Sequence, residues 1–194
     1  MYIVYLHGFN SSPASVKARQ TQAFLNAHGL GDRFVCPTLP AMPDEAEAAI
    51  IKAVHGLPEV GFIGSSLGGF HATWAAERFG SKAVLVNPGV KPQHLLRDYL
   101  GWQQNLYSGE RYFLDDSHVA AFARLEPPTF TAGRYWLMVQ TADETLDYRQ
   151  AVDYYAGARQ TVEAGGSHSF EHFERHLPEI CAFLGLPLPV APTN

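Results

Sequence analysis

Gly64-Ser65-Ser66-Leu67-Gly68 sets a serine between two glycines at the spacing G-x-S-x-G, the pattern of a nucleophile elbow. A serine hydroxyl attacks poorly unless it is held beside a base and clear of its own backbone. A strand that turns sharply into a helix provides that clearance at the cost of backbone strain. The residues two before and two after the serine must then be tiny, which Gly64 and Gly68 are. Gly69 adds room for the helix against the strand. The pentapeptide lies between the apolar run Val60–Ile63 and the helical segment Phe70–Phe79, the context this motif requires. Ser65 has no symmetric glycine pair around it. Acyl transfer through Ser66 is the chemistry expected. The Leu67 N–H, unpaired at the start of the helix, is expected to be one oxyanion donor.

The first apolar run ends in His7-Gly8-Phe9-Asn10. In folds with this elbow the loop at that position supplies the second oxyanion donor, here the Phe9 N–H. His7 itself is expected to brace the loop. Of nine histidines, His168 ends Gly165-Gly166-Ser167-His168, the loop leaving the strand Gln160–Glu163. That is the carboxyl edge of the sheet, where open α/β folds gather ligands. His172 and His176 stand four apart on the following helix, a metal-like spacing, but without a third ligand they read as a solvated face. The acid that orients the base is expected at Asp143, just past the strand Tyr135–Gln140, with Glu144 the adjacent rival and Asp147 the next. No metal or cofactor is required.

These residues need a scaffold of alternating elements. Tyr2–Leu6, Arg33–Cys36, Val60–Ile63, Lys82–Val86, Tyr135–Gln140 and Gln160–Glu163 read as strands, the long ones apolar at nearly every position. Helices are expected from Ser12-Pro13 to Gly29, over Asp44–His55, Phe70–Phe79 and Tyr148–Tyr155, and within Glu171–Phe183, where Pro178 should kink or split the helix. Strands alternating with helices imply a parallel sheet covered on both faces. Gly89–Pro128 holds no strand signal but carries Tyr99, Trp102, Tyr107, Tyr112, Phe113 and Phe122. It is expected to be a mostly helical insertion whose aromatics form an acyl pocket.

The 194 residues, 46% hydrophobic and 17% charged, suffice for one domain, 1–194, with an insertion at about 89–128. The net charge is −5 and the Lys and Arg are scattered, which argues against a nucleic-acid partner. Cys36 and Cys181 lie in apolar runs and read as small hydrophobes. There is neither a leader pattern nor an apolar stretch of about 18 residues, so no membrane insertion and a cytoplasmic location are expected.

The chain resembles the YqiA-like esterase family of small bacterial α/β-hydrolases. The likeness rests on Tyr5-Leu6-His7-Gly8-Phe9-Asn10-Ser11-Ser12-Pro13, Gly64 through Gly69, and Val86-Asn87-Pro88 with Leu95–Gly101. It continues through Gln140 to Ala156, and Arg159-Gln160-Thr161-Val162 to His168. The resemblance implies a minimal α/β-hydrolase fold, its six parallel strands ordered 2-1-3-4-5-6, with a helical cap insertion. It also implies the triad Ser66, Asp143 and His168 and activity on short acyl esters, with acyl-CoA thioesters as the alternative. A non-catalytic binding protein on the same scaffold is the remote one. Ala142 departs from the glycine usual in this acid turn, and Ser167 from the asparagine common before the histidine.

Overall fold

The computed structural model describes residues 1–189. In chain order it begins with β1 (Tyr2–Leu6), α1 (Val16–Ala27), β2 (Phe34–Val35), α2 (Pro43–Val54), β3 (Val60–Ser65) and α3 (Leu67–Phe79). Next come β4 (Ala83–Val86), α4 (Pro92–Leu95), the hairpin β5 (Gly101–Gln104) and β6 (Arg111–Leu114), and α5 (Asp116–Leu125). The chain closes with β7 (Tyr135–Gln140), α6 (Tyr148–Tyr154), β8 (Arg159–Glu163) and α7 (Leu177–Leu184). The main sheet is parallel throughout and ordered β2-β1-β3-β4-β7-β8, the expected order.

Alternation along strands that are apolar at every position feeds two cores. Ile3, Tyr5, Ile63, Val84, Val86, Trp136 and Met138 face α1 and α7. Val4, Leu6, Phe62, Leu85, Leu137 and Val139 face α2, α3 and α6. Each large side chain so buried contributes about 2 kcal/mol, and together they fix the register that brings the strand ends to one edge.

Three local expectations are corrected or sharpened. Helix α1 starts at Val16, because Ser12 first makes a turn: its Oγ accepts from Ala14 N–H and its carbonyl from Ser15 N–H. The final segment is split rather than kinked: a 3-10 turn at Phe173–His176 gives way to α7 at Leu177, so that Pro178 lies in the first turn of α7, where its missing N–H costs nothing. The insertion is helical in α4, in the 3-10 turn Leu96–Tyr99 and in α5, as expected, but it is not free of strands. It carries the antiparallel hairpin β5–β6, with Trp102 opposite Phe113 and Gln103 opposite Tyr112. Its turn is set by Asn105, whose Oδ1 accepts from Tyr107 N–H and Ser108 N–H, and by Gly109 at φ 74°. The strands were hidden because Leu114 alone of their eight positions is buried. The insertion is anchored by Leu96, Leu114 and Phe122 packing on Phe70 of α3.

No helix among the described residues is long and apolar enough to cross a membrane.

Candidate active site

Ser66 joins β3 to α3 at φ 55°, ψ −125°, a left-handed conformation that a residue with a Cβ rarely adopts. Its surroundings over-determine it. Its N–H donates to Val86 O at 3.1 Å, and its carbonyl accepts from Gly69 N–H and Gly89 N–H, both at 2.9 Å. A Cβ on Gly64 would lie 2.2 Å from Gly68 O, so these two pass each other as expected. Gly68 has a second constraint: its Cβ would lie 2.0 Å from Leu6 O, at the end of β1. The elbow is thus packed against the neighbouring strand as well as folded on itself.

The structure brings Ser66, His168 and Asp143 into one line. Ser66 Oγ lies 3.0 Å from His168 Nε2, and His168 Nδ1 lies 2.8 Å from Asp143 Oδ2. An ionised carboxylate only accepts, so Nδ1 carries the proton and Nε2 is left to accept from the serine hydroxyl. The Asp143 side chain is 2% exposed. Burial opposes its charge, yet hydrogen bonds from His168 and from the Leu146 and Thr145 N–H groups outweigh it and hold the carboxyl below its usual range. Glu144 Oε2 instead accepts the backbone N–H of His168 at 2.9 Å. Asp147 caps α6 by accepting from Arg149 N–H.

The loop bearing His168 is held by two residues that sequence reasoning missed. Asn87 Nδ2 donates to Ser167 O and His168 O, both at 3.0 Å, while its Oδ1 accepts from Gln140 N–H. Gln140 Oε1 accepts from Ser167 N–H and Glu171 N–H. Gly166 makes this possible, since a Cβ there would fall 2.0 Å from Gln140 Oε1. The only signal for Asn87 was a polar residue closing an apolar strand before Pro88.

The loop after β1 lies against the elbow, with a Gly8 Cβ position only 3.1 Å from Ser66 Cβ. Neither Phe9 N–H nor Leu67 N–H donates to a backbone acceptor in a turn or loop among the described residues. His7 is buried, and burial lowers its pKa. Its Nε2 accepts from Leu39 N–H at 3.0 Å, which puts the proton on Nδ1, 3.1 Å from Gly8 O. It is a brace for the loop, as expected. At the other end, Asn10 (φ 51°) is clamped by the hairpin. Tyr112 OH donates to Asn10 Oδ1 at 2.7 Å, Asn10 Nδ2 to Gln103 Oε1 at 3.3 Å, and Leu106 N–H to Asn10 O at 3.2 Å.

His172 and His176 do not share a helix face. His172 is left-handed at the start of the 3-10 turn Phe173–His176, and His176 Nε2 sits 3.0 Å from Glu163 Oε1. No cluster of three metal-ligating side chains occurs among the described residues.

Ser66 and His168 open onto a cleft of 390 Å³ whose walls include Tyr5, Phe9, Lys17, Gln20 and Tyr107. A second cavity, of 430 Å³, is lined by Gly8, Phe9 and Asn10 together with His7, Leu67, His71 and Tyr112. The two spaces share Gly8, Phe9 and Ser11 in their walls, and the aromatics of the insertion divide between them. Tyr107 reaches the first space and Tyr112 the second. Trp102, 65% exposed, stacks edge-on against Phe113 outside both.

The family model that matches residues 2–185 is described as "Uncharacterised protein family (UPF0227)". Solved structures share the fold. Est1E from Butyrivibrio proteoclasticus, with ferulic acid bound, is 12% identical at a TM-score of 0.69 over 96% of this chain and 90% of its own. Alpha/beta hydrolase domain-containing protein 10 from mouse is 16% identical at 0.68, over 95% and 88%. The monoacylglycerol lipase of Paleococcus ferrophilus is 16% identical at 0.67, over 96% and 95%. At these identities the likeness is one of fold: this is a minimal α/β-hydrolase fold with a helix-and-strand insertion.

Proposed function

The chain belongs to UPF0227, and from that premise we propose that it is a serine hydrolase cleaving carboxylic esters of short to medium acyl length. The observation that carries the reading is the hydrogen-bonded line from Ser66 Oγ through His168 to the buried Asp143, ending on a strained serine. The resemblance to YqiA-like esterases supports it. So does the fold shared with Est1E, solved with ferulic acid, and with a monoacylglycerol lipase.

In the proposed reaction Ser66 Oγ bonds to the ester carbonyl carbon while its proton passes to His168 Nε2. The oxyanion is held by the Phe9 and Leu67 N–H groups, aimed at charge that exists only in the transition state. Collapse breaks the bond to the leaving oxygen, which takes the proton from His168. Water then adds to the acyl-enzyme by the same roles and frees the acid. Asp143 keeps Nδ1 protonated and stabilises the imidazolium that forms twice per turnover. The modest cleft favours small acyl groups.

The test is labelling with a fluorophosphonate followed by peptide mapping, together with acyl esters and thioesters of graded length. One adduct on the Ser66 peptide, lost in Ser66→Ala, is expected, with kcat/KM falling from hexanoyl to palmitoyl substrates. An unlabelled native protein would overturn the reading.

A further inference from the structure

Lys17 occupies an electrostatically adverse place. It lies in the first turn of α1, where the helix dipole is already positive, no acidic residue shares that turn, and Ser15 provides no side-chain cap. It lines the same cleft as Ser66 and His168. Its Nζ donates to Ser169 O at 2.7 Å, one residue past His168, and no carboxylate lies within ion-pair distance of it among the described residues. Ser15 Oγ, on the same wall, is buried without a hydrogen-bond partner. Burial pulls the Lys17 ammonium down to about 8, with Asp143 acting in the opposite direction, so it remains a cation at neutral pH. Of the nearby carboxylates, Asp143 is engaged by His168 and Glu174 accepts from Gln20 Nε2. Glu144 accepts from the His168 N–H, and Glu171, exposed beside His172, is the one carboxylate among the residues that line the cleft.

A cation at a helix N-terminus, with Asp143 near but no carboxylate in ion-pair contact and open to a reaction cleft, is stabilised by an anion from outside the protein. We infer that the cleft selects esters bearing an anionic group, carboxylate or phosphate, on the alcohol side, held by Lys17. The alcohol side follows from the bond to Ser169. Lys17 stands on the flank of His168, which protonates the leaving oxygen, and away from Leu67. The inference rests on the proposed Ser66 chemistry and narrows its substrate class.

The test compares kcat/KM for the acetate esters of glycolate and of 2-hydroxyethyl phosphate with that for propyl acetate. Monomethyl succinate, whose charge is on the acyl side, is the control. The native protein should favour one or both alcohol-side anions over propyl acetate by about tenfold or more, a charge-assisted hydrogen bond's effect. Whichever anion is preferred identifies the source. Lys17→Met should lower turnover of propyl acetate about threefold, through the lost Ser169 contact, and abolish the preference. Lys17→Arg should restore the preference, and Glu171→Gln should raise it a fewfold. An unchanged preference in Lys17→Met, or none in the native protein, overturns the inference while leaving Ser66 labelling intact. Loss of labelling and of all turnover in the native protein overturns the hydrolase reading, and this inference with it.

Discussion

Glu144 and His168 are joined through the backbone: Glu144 Oε2 accepts the His168 main-chain N–H at 2.9 Å, and the imidazole turns to Asp143 instead. Two adjacent carboxylates therefore divide the work on one histidine, one fixing the loop and the other the ring. Asp143→Asn should cost on the order of 10³–10⁴ in kcat, since an amide can favour the wrong imidazole tautomer. Glu144→Gln keeps an oxygen acceptor and should cost about tenfold at most. Steady-state kinetics on a short ester decide it, and the reverse ranking would move the acid to Glu144.

Gly68→Ala tests the elbow without touching a reacting group. The new methyl has no space against the Leu6 carbonyl, so Ser66 must shift. A displacement near 1 Å costs on the order of 10²-fold in kcat/KM. Gly133→Ala is the control, because nothing lies within 4 Å of that position, and it should retain full activity.

Strain at Ser66 has a thermodynamic signature. With φ at 55°, Ser66→Gly should be more stable than Ser66→Ala by about 1 kcal/mol, against the usual entropic penalty of glycine. Urea denaturation of the two inactive variants measures the difference. An alanine variant as stable as the glycine one would mean that the turn is relaxed.

His71 makes the fold acid-sensitive. It is buried, and burial together with nearby His7 pushes its imidazole down to about 4 from an ordinary 6.5. The unfolded chain binds this proton below about pH 6.5 and the folded one does not, so stability is full above that pH and falls as pH drops toward about 4. Between about pH 7.5 and about pH 5 this linkage amounts to about 2 kcal/mol. His71→Leu should remove most of that dependence in urea titrations at the two pH values. An equal acid loss in the variant would show that His71 is protonated in the fold.

Sterically forced features were legible in the sequence. Gly64 and Gly68 announce the elbow because no other residue fits there. The apolar runs give the sheet because both faces are covered. Asp143 and His168 follow from lying just past strands at the carboxyl edge. What escaped were pairings between residues distant in sequence with unremarkable local signals. Asn87 meets Ser167 across 80 residues, and Lys17 meets Ser169 across 152. The hairpin escaped because only Leu114 among its eight strand residues is buried, so its apolar side chains carry no alternation that separates a strand from a surface helix.

The hairpin also decides how this molecule should behave on warming. It is a two-stranded sheet on its own, joined to none of the six core strands, and such units are marginal in water. Yet Tyr112, Gln103 and Leu106 are what grip Asn10, the residue after Phe9. Fraying of the hairpin frees the proposed oxyanion loop while the proposed triad, set on the core sheet, stays assembled. The molecules that lose catalytic competence first are then still folded ones. Turnover should decline reversibly several degrees below the melting transition, as a premelting of the catalyst within an intact protein.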